Sequence, residues 1–203
     1  MKFKGMEKVG DLLLLNLMFV LSSLPVVTVG AAAAAMHYVL RRLKAGEGTV
    51  IRDFIHAFRQ NFRQATFLFL GFLLGAALIG LNLWLSSGWT GPVYWTVTVC
   101  LLIGGYFLLV WASVVFPFLA RFDNTTWKIA KNAAVLAFVC PLRGFAAAVI
   151  NVIPVAFAVL LPDLFSIAWV LWAFFFCAAS GWLVQRIFAP VFDRLGTKDQ
   201  EEA

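Results

Sequence analysis

Ionised side chains are what this sequence has least of. Asp, Glu, Lys and Arg make up 13% of its 203 residues, against roughly 25% in soluble domains. None of them occurs in 12–40, 64–120, 144–162 or 164–185. A helix crosses the hydrocarbon core of a bilayer with about 20 apolar residues. On insertion scales a central Arg or Asp costs roughly 2.5–3.5 kcal/mol, against a gain of about 0.5 kcal/mol for a Leu or Phe. Charge-free stretches this long exclude the core of a small water-soluble domain.

The residue types that carry chemistry are also sparse. Cys100, Cys140 and Cys177 are the only cysteines. Their odd number and wide spacing exclude a closed disulfide framework and leave thiols that pack as small hydrophobes. The two histidines, His37 and His56, stand in no metal-ligand pattern and are expected to be packed or solvated. Asp163 is the only acidic residue between Asp123 and Asp193. It follows Pro162 in a turn, which argues for a solvated turn carboxylate rather than a proton or cation site. No G-x-S-x-G, H-E-x-x-H, Walker-type or dinucleotide signature is present. The expectation is a protein that is not an enzyme, with no catalytic, cofactor or metal residues.

What the chain does have is apolar and aromatic surface. It is 63% hydrophobic, with 21 Phe and 8 Trp and a mean hydropathy of +0.91. The expected fold class is all-α, a polytopic transmembrane bundle of about five spans filling a single domain over 1–203. The uncharged stretch 64–120 is too long for one crossing, since a helix of that length runs about 85 Å. Ser86-Ser87-Gly88-Trp89-Thr90-Gly91-Pro92 combines turn formers with an interfacial Trp, and Pro92 suits the first turn of a new helix. Spans are therefore expected near 65–85 and 93–119. Two more are expected near 143–161 and 164–185, joined at Pro162-Asp163.

Basic residues orient these spans. Six fall in 41–63, none in 86–92, four in 121–143, none in 162–163 and three in the 186–203 tail. This alternation is what the positive-inside rule expects, and it puts 41–63 and the C-terminus in the cytoplasm. The net charge of +6 thereby reads as a topology signal, with no nucleic acid implied.

The first apolar stretch, 12–40, fits this scheme least well. Its helical length of about 43 Å suits one tilted crossing but not two. A single kinked span is the preferred expectation, placing the N-terminus outside despite Lys2, Lys4 and Lys8. The alternative is a re-entrant hairpin folded at Pro25, with the N-terminus inside. A third reading, a signal peptide cleaved near Ala31-Ala32-Ala33, is opposed by Glu7 and Asp11 and by the length of the apolar run.

Between the first two spans, Thr49 is placed to cap a helix over 50–63. A helical wheel gathers Ile51, Phe54, Ile55, Phe58 and Phe62 on one face, with Arg52, His56, Arg59, Gln60 and Arg63 on the other. That pattern predicts a cytoplasmic amphipathic helix lying on the inner membrane surface. A weaker arc near 125–139 carries Lys128 and Lys131. Arg52, Arg59, Arg63, Lys128 and Lys131 are thus the candidates for contact with anionic inner-leaflet lipid or a partner. Asn16, Asn82 and Asn151 are expected to bond between helices, and Gly71-x-x-x-Gly75 to allow close helix packing.

Three stretches together resemble the YesL family of bacterial membrane proteins, a domain of unknown function. They are Leu24-Pro25-Val26-Val27-Thr28-Val29-Gly30 with Tyr38-Val39-Leu40, then Asp53-Phe54 to Phe58 with Asn61-Phe62 and Gln64-Ala65, and then Phe116-Pro117-Phe118-Leu119-Ala120-Arg121-Phe122-Asp123 with Lys131-Asn132. The resemblance implies a multi-pass plasma-membrane protein, often encoded beside carbohydrate importers. It implies no catalytic or ligand residue. It marks Pro25, Thr28, Gly30, Arg121 and Asp123 as structural motif positions, and it counts against cleavage before Gly30. The expected function is a non-enzymatic accessory protein with a membrane partner such as a sugar importer. The alternative is a small-solute transporter or channel subunit, lined by Asn82, Asn151 and the Pro25 kink.

Overall fold

A computed structural model describes residues 3–171 and 176–201, with side chains described within 9–153, 156–167 and 176–195. The described residues are all-α: α1 (Phe3–Ser23), a single 3-10 turn (Val26–Thr28), α2 (Val29–Ala45), α3 (Val50–Ser86), α4 (Pro92–Leu119), α5 (Thr126–Val139), α6 (Pro141–Leu160), α7 (Pro162–Leu171) and α8 (Cys177–Glu201). Two of these, α3 and α4, are long and apolar enough to cross a membrane. A third candidate span is the pair α5 and α6, bent by 107° at their junction, where Pro141 starts a new helix. Of the five expected spans, 65–85 and 93–119 fall on α3 and α4, and 143–161 falls on α6. The 164–185 span includes 172–175, which lie outside the described residues.

The break between α3 and α4 falls on the turn formers, with Pro92 as the first residue of α4. Exposed Trp84, Trp89 and Trp95 cluster at this end, as interfacial aromatics do. From Arg63 to Trp84, α3 rises about 32 Å, close to the roughly 30 Å thickness of a hydrocarbon core. Leu74, Leu78, Leu81 and Leu102 stay exposed along this half of α3 and α4, an apolar surface suited to lipid.

The basic helix over 50–63 does not form a separate surface helix. It is the first part of α3, which continues without interruption to Ser86. No Pro interrupts 50–86, and a continuous helix keeps every backbone hydrogen bond internal as it meets the apolar phase. Its buried stripe is also rotated from the expected face. Val50, Asp53, Phe54, Ala57, Asn61, Ala65 and Leu68 are buried, whereas Ile51, Ile55 and Phe62 are exposed. The stripe follows packing against α2 rather than the widest apolar arc.

The stretch 12–40 corrects the preferred sequence reading. It folds back on itself as a helical hairpin instead of running as one kinked crossing. Asp11 and Leu12 of α1 line one recess with Leu40, Leu43 and Lys44 of α2, and Leu15 shares a core cluster with Ala32, Ala35, Met36 and Val39. Pro25 supplies the reversal. It lacks a backbone N–H to continue α1 and holds an extended ψ of 115°. The Thr28 hydroxyl reaches the carbonyl oxygens of Ser22 (2.5 Å) and Pro25 (2.6 Å), covering acceptors left open where α1 ends.

The hairpin lies along the charged half of α3. Gly30 stands against Ala65 and Phe69, Met36, Val39 and Leu40 share a cluster with Val50, Phe54 and Ala57, and Gly48 abuts Asp53. Ala31, Ala32, Ala34 and Ala35 are 0% exposed. The small-residue run thus serves close helix packing. The tip, Leu24, Val26 and Val27, is exposed and apolar.

The expected Thr49 cap is also altered. Thr49 occupies the N-cap position but its side chain makes no capping bond. Instead the Asp53 carboxylate accepts the Thr49 N–H at 3.1 Å and the Arg42 guanidinium at 3.0 Å. A carboxylate in the first turn suits the positive helix N-terminus and clamps α2 to α3.

Candidate functional site

Four cationic side chains from two helices and the segment after a third converge on one cavity of about 430 Å³. Arg41 and Lys44 come from the end of α2, Arg121 from just beyond α4, and Arg186 from α8. The floor is buried and largely apolar, formed by His37, Pro117, Ala120 and Phe192. Arg41, Lys44 and Arg186 are exposed around the mouth, with Trp182 beside them.

Local structure explains each placement. Of the α2 cations, Lys44 sits in the last turn, where the helix dipole favours it, Arg41 stands just before that turn, and Gly46 ends the helix at φ 79°. The Phe116 and Phe118 carbonyls close α4, accepting the N–H groups of Ala120 and Arg121, and Pro117 lies within its last turn. Each guanidinium also rests near an aromatic ring: Arg41 on Tyr38 at 5.4 Å, Arg121 near Phe122 and Phe192 at 5.9 and 5.8 Å, and Arg186 on Trp182 at 5.3 Å. Such contacts hold a cation without neutralising it.

Carboxylates answer only part of this charge. Arg121 pairs with Asp193 at 2.6 Å. Partial burial first, and then the Arg121 guanidinium, push Arg41 below the ordinary arginine value, with Tyr38 and Asp123 acting in the opposite sense. Among the described residues, Lys44 and Arg186 have no carboxylate partner within ion-pair distance. Below them, Gln185 donates to the His37 carbonyl and lies 3.4 Å from His37 Nδ1, fixing α8 to α2.

The residues singled out in the sequence are distributed differently from this site. Arg52, Arg59 and Arg63 are exposed along α3, Arg52 and Arg59 bordering a shallow recess with His56 and Gln60. Lys128 and Lys131 are exposed on α5. None of these five lines the cavity. Of the motif positions, Arg121 forms a wall, Asp123 is exposed near Arg41, Gly30 packs α2 on α3, and Pro25 and Thr28 build the hairpin turn. Asn82, Asn151 and Pro25, expected to line a solute path, do not border it. Arg41, Lys44 and Arg186 were legible only as charges flanking apolar segments.

The three asparagines expected within spans behave in two ways. Asn16 is fully buried and accepts the Ala178 N–H at 2.7 Å, and Asn151 donates to Ser113 Oγ at 3.0 Å. Both bond between helices as expected, whereas Asn82 donates to Leu78 of its own helix. Asn16→Leu leaves the first-turn N–H of Ala178 unpaired in an apolar setting. It is expected to cost about 1–3 kcal/mol, read as a lower thermal midpoint of the detergent-solubilised protein, and an unchanged midpoint would refute this role.

The glycine expectation holds at Gly75, which packs against Leu108 of α4, and not at Gly71. A Cβ at Gly71 or Gly80 would meet nothing within 4 Å, and one at Gly75 would touch only the Leu108 side chain at 3.1 Å. Closer approaches are at Gly144 against the Val110 side chain, at Gly181 against Met36, and at Gly30, where a Cβ would stand 2.5 Å from a backbone atom, the Ala65 carbonyl oxygen. Among the described residues, no three His, Cys, Asp or Glu come together to hold a metal ion.

Residues 12–83 match the family described as a protein of unknown function, DUF624, the family to which YesL belongs. The resemblance read from the sequence is borne out over those residues, which hold the hairpin, the Gly30 contact and the Asp53 clamp. No curated protein and no solved structure matches the chain.

Proposed function

We propose that this membrane protein of unknown activity is a non-enzymatic accessory component of the bacterial plasma membrane, with its C-terminus in the cytoplasm, that holds a membrane partner at its basic end. The observation that carries this reading is the exposed face of α3 ahead of its membrane-length half. There Arg52, Arg59 and Arg63 alternate with exposed Ile51, Ile55 and Phe62. Arginines beside apolar side chains suit an anionic leaflet, at about 1 kcal/mol per cation near the surface. They equally suit the rim and core of a protein contact. The exposed Lys128 and Lys131 of α5 extend the same charge. A carbohydrate importer is the partner to which the YesL resemblance points.

The test is affinity purification after mild detergent extraction. The wild-type chain is expected to bring down a stoichiometric membrane partner. Arg52→Glu, Arg59→Glu and Arg63→Glu together are expected to reduce it at least about tenfold, a loss of about 1.4 kcal/mol, while the variant stays in the membrane fraction. Retention of the partner by the triple variant, or no partner with the wild type, rejects the reading.

A further inference from the structure

We infer that the cavity between α2, α4 and α8 binds a phosphoryl group, with a phosphate monoester as the favoured form. The argument begins with charge. Arg41, Lys44, Arg121 and Arg186 bring four positive charges to one cavity whose lining holds no carboxylate. Asp193 pairs with Arg121 from outside that lining, and Asp11 and Glu47 share a separate recess with Lys44 without coming within ion-pair distance of it. The balance inside the cavity is therefore positive and suits a phosphate monoester, which carries about −1.5 to −2 near neutral pH.

Geometry and chemistry agree with that balance. Three of the four cations are arginines, whose planar forks meet phosphate oxygens in pairs. Their aromatic supports hold them in place, so less ordering remains to be done on binding. The cavity volume of about 430 Å³ exceeds what a bare phosphate needs and lies within the range of roughly 300–1,000 Å³ typical of ligand sites. The apolar floor of Pro117, Ala120 and Phe192 suits the carbon body of an ester. A structural role for the charges would call for carboxylates facing Lys44 and Arg186, and among the described residues none is within ion-pair distance.

Such a group could arrive from solution or as a lipid headgroup, and two probes separate these sources. The full chain is placed in phosphatidylcholine nanodiscs and titrated with glycerol 3-phosphate, and in parallel is placed in nanodiscs doped with phosphatidic acid. Saturable binding of glycerol 3-phosphate assigns a soluble ester, and enrichment of phosphatidic acid alone assigns a lipid. In either case Arg41→Gln with Arg186→Gln is expected to weaken binding at least about tenfold. Arg143→Gln, a charge removal at an exposed position outside both the cavity and the basic face of α3, is expected to stay within about twofold. A loss with Arg143→Gln equal to that of the cavity double variant, or no binding of either probe by the wild type, overturns the proposal. Should the cavity double variant fail to fold, Lys44→Gln at the exposed rim is expected to weaken binding about three- to tenfold, and wild-type binding by it overturns the proposal equally. None of these outcomes depends on whether a protein partner is recovered.

Discussion

Gly30→Leu is expected to prevent recovery of a monodisperse folded protein from detergent, and Gly30→Ala to lower its thermal midpoint sharply. A Cβ at this position would stand 2.5 Å from the Ala65 carbonyl oxygen and 2.7 Å from Phe69 Cβ. The first of these is backbone and cannot rotate away, so α2 must move off α3. Ala31, Ala32, Ala34 and Ala35 are fully buried beside it, so the displacement would propagate along the hairpin. Overpacking of this kind costs about 1–3 kcal/mol for a small addition, and a leucine adds three further carbons to the same gap. Gly71→Ala is the matched control. Its Cβ meets nothing within 4 Å, and helix propensity predicts a gain of up to about 1 kcal/mol. If Gly30→Ala and Gly71→Ala melt together, the close approach of α2 to α3 is not what holds the hairpin.

Asp53→Ala is expected to destabilise the protein by about 2–3 kcal/mol, the second large effect. Asp53 is nearly buried, its side chain 10% exposed, and it serves Arg42 and the Thr49 N–H together. Charge-assisted hydrogen bonds are worth about 1.5–3 kcal/mol each. The Arg42 contribution is discounted because that side chain is 33% exposed and solvent screens it. Asp53→Asn keeps an acceptor for the Thr49 N–H and is expected to recover about half of the loss. Equilibrium unfolding in a fixed detergent mixture reads both, and equal midpoints for Asp53→Ala and wild type would exclude the clamp.

These two residues mark where sequence reasoning reached and where it stopped. Gly30 and Asp53 both stood inside motifs already visible in the chain, but their partners did not. A G-x-x-x-G spacing drew attention to Gly71 and Gly75, because spacing along one helix is readable and the distance to a second helix is not. Asp53 sits among residues that a wheel assigns to no particular neighbour. Only the approach of α2 shows that the carboxylate faces Arg42, eleven residues earlier. The cavity illustrates the same limit, since Arg41, Arg121 and Arg186 are separated by long apolar helices and meet only after folding.

The sequence by itself determined the all-α membrane character, the break at Ser86 to Pro92 and the interruption at Pro25. Each of these follows from the local cost of placing charge in lipid or of continuing a helix through proline and clustered turn formers. The tertiary structure decided that 12–40 doubles back, which face of 50–63 is covered, and where the cations gather. Hydropathy records how strongly a segment avoids water, and a lipid tail and a neighbouring helix satisfy that avoidance equally well. Contacts between distant parts of the chain were needed to tell the two apart.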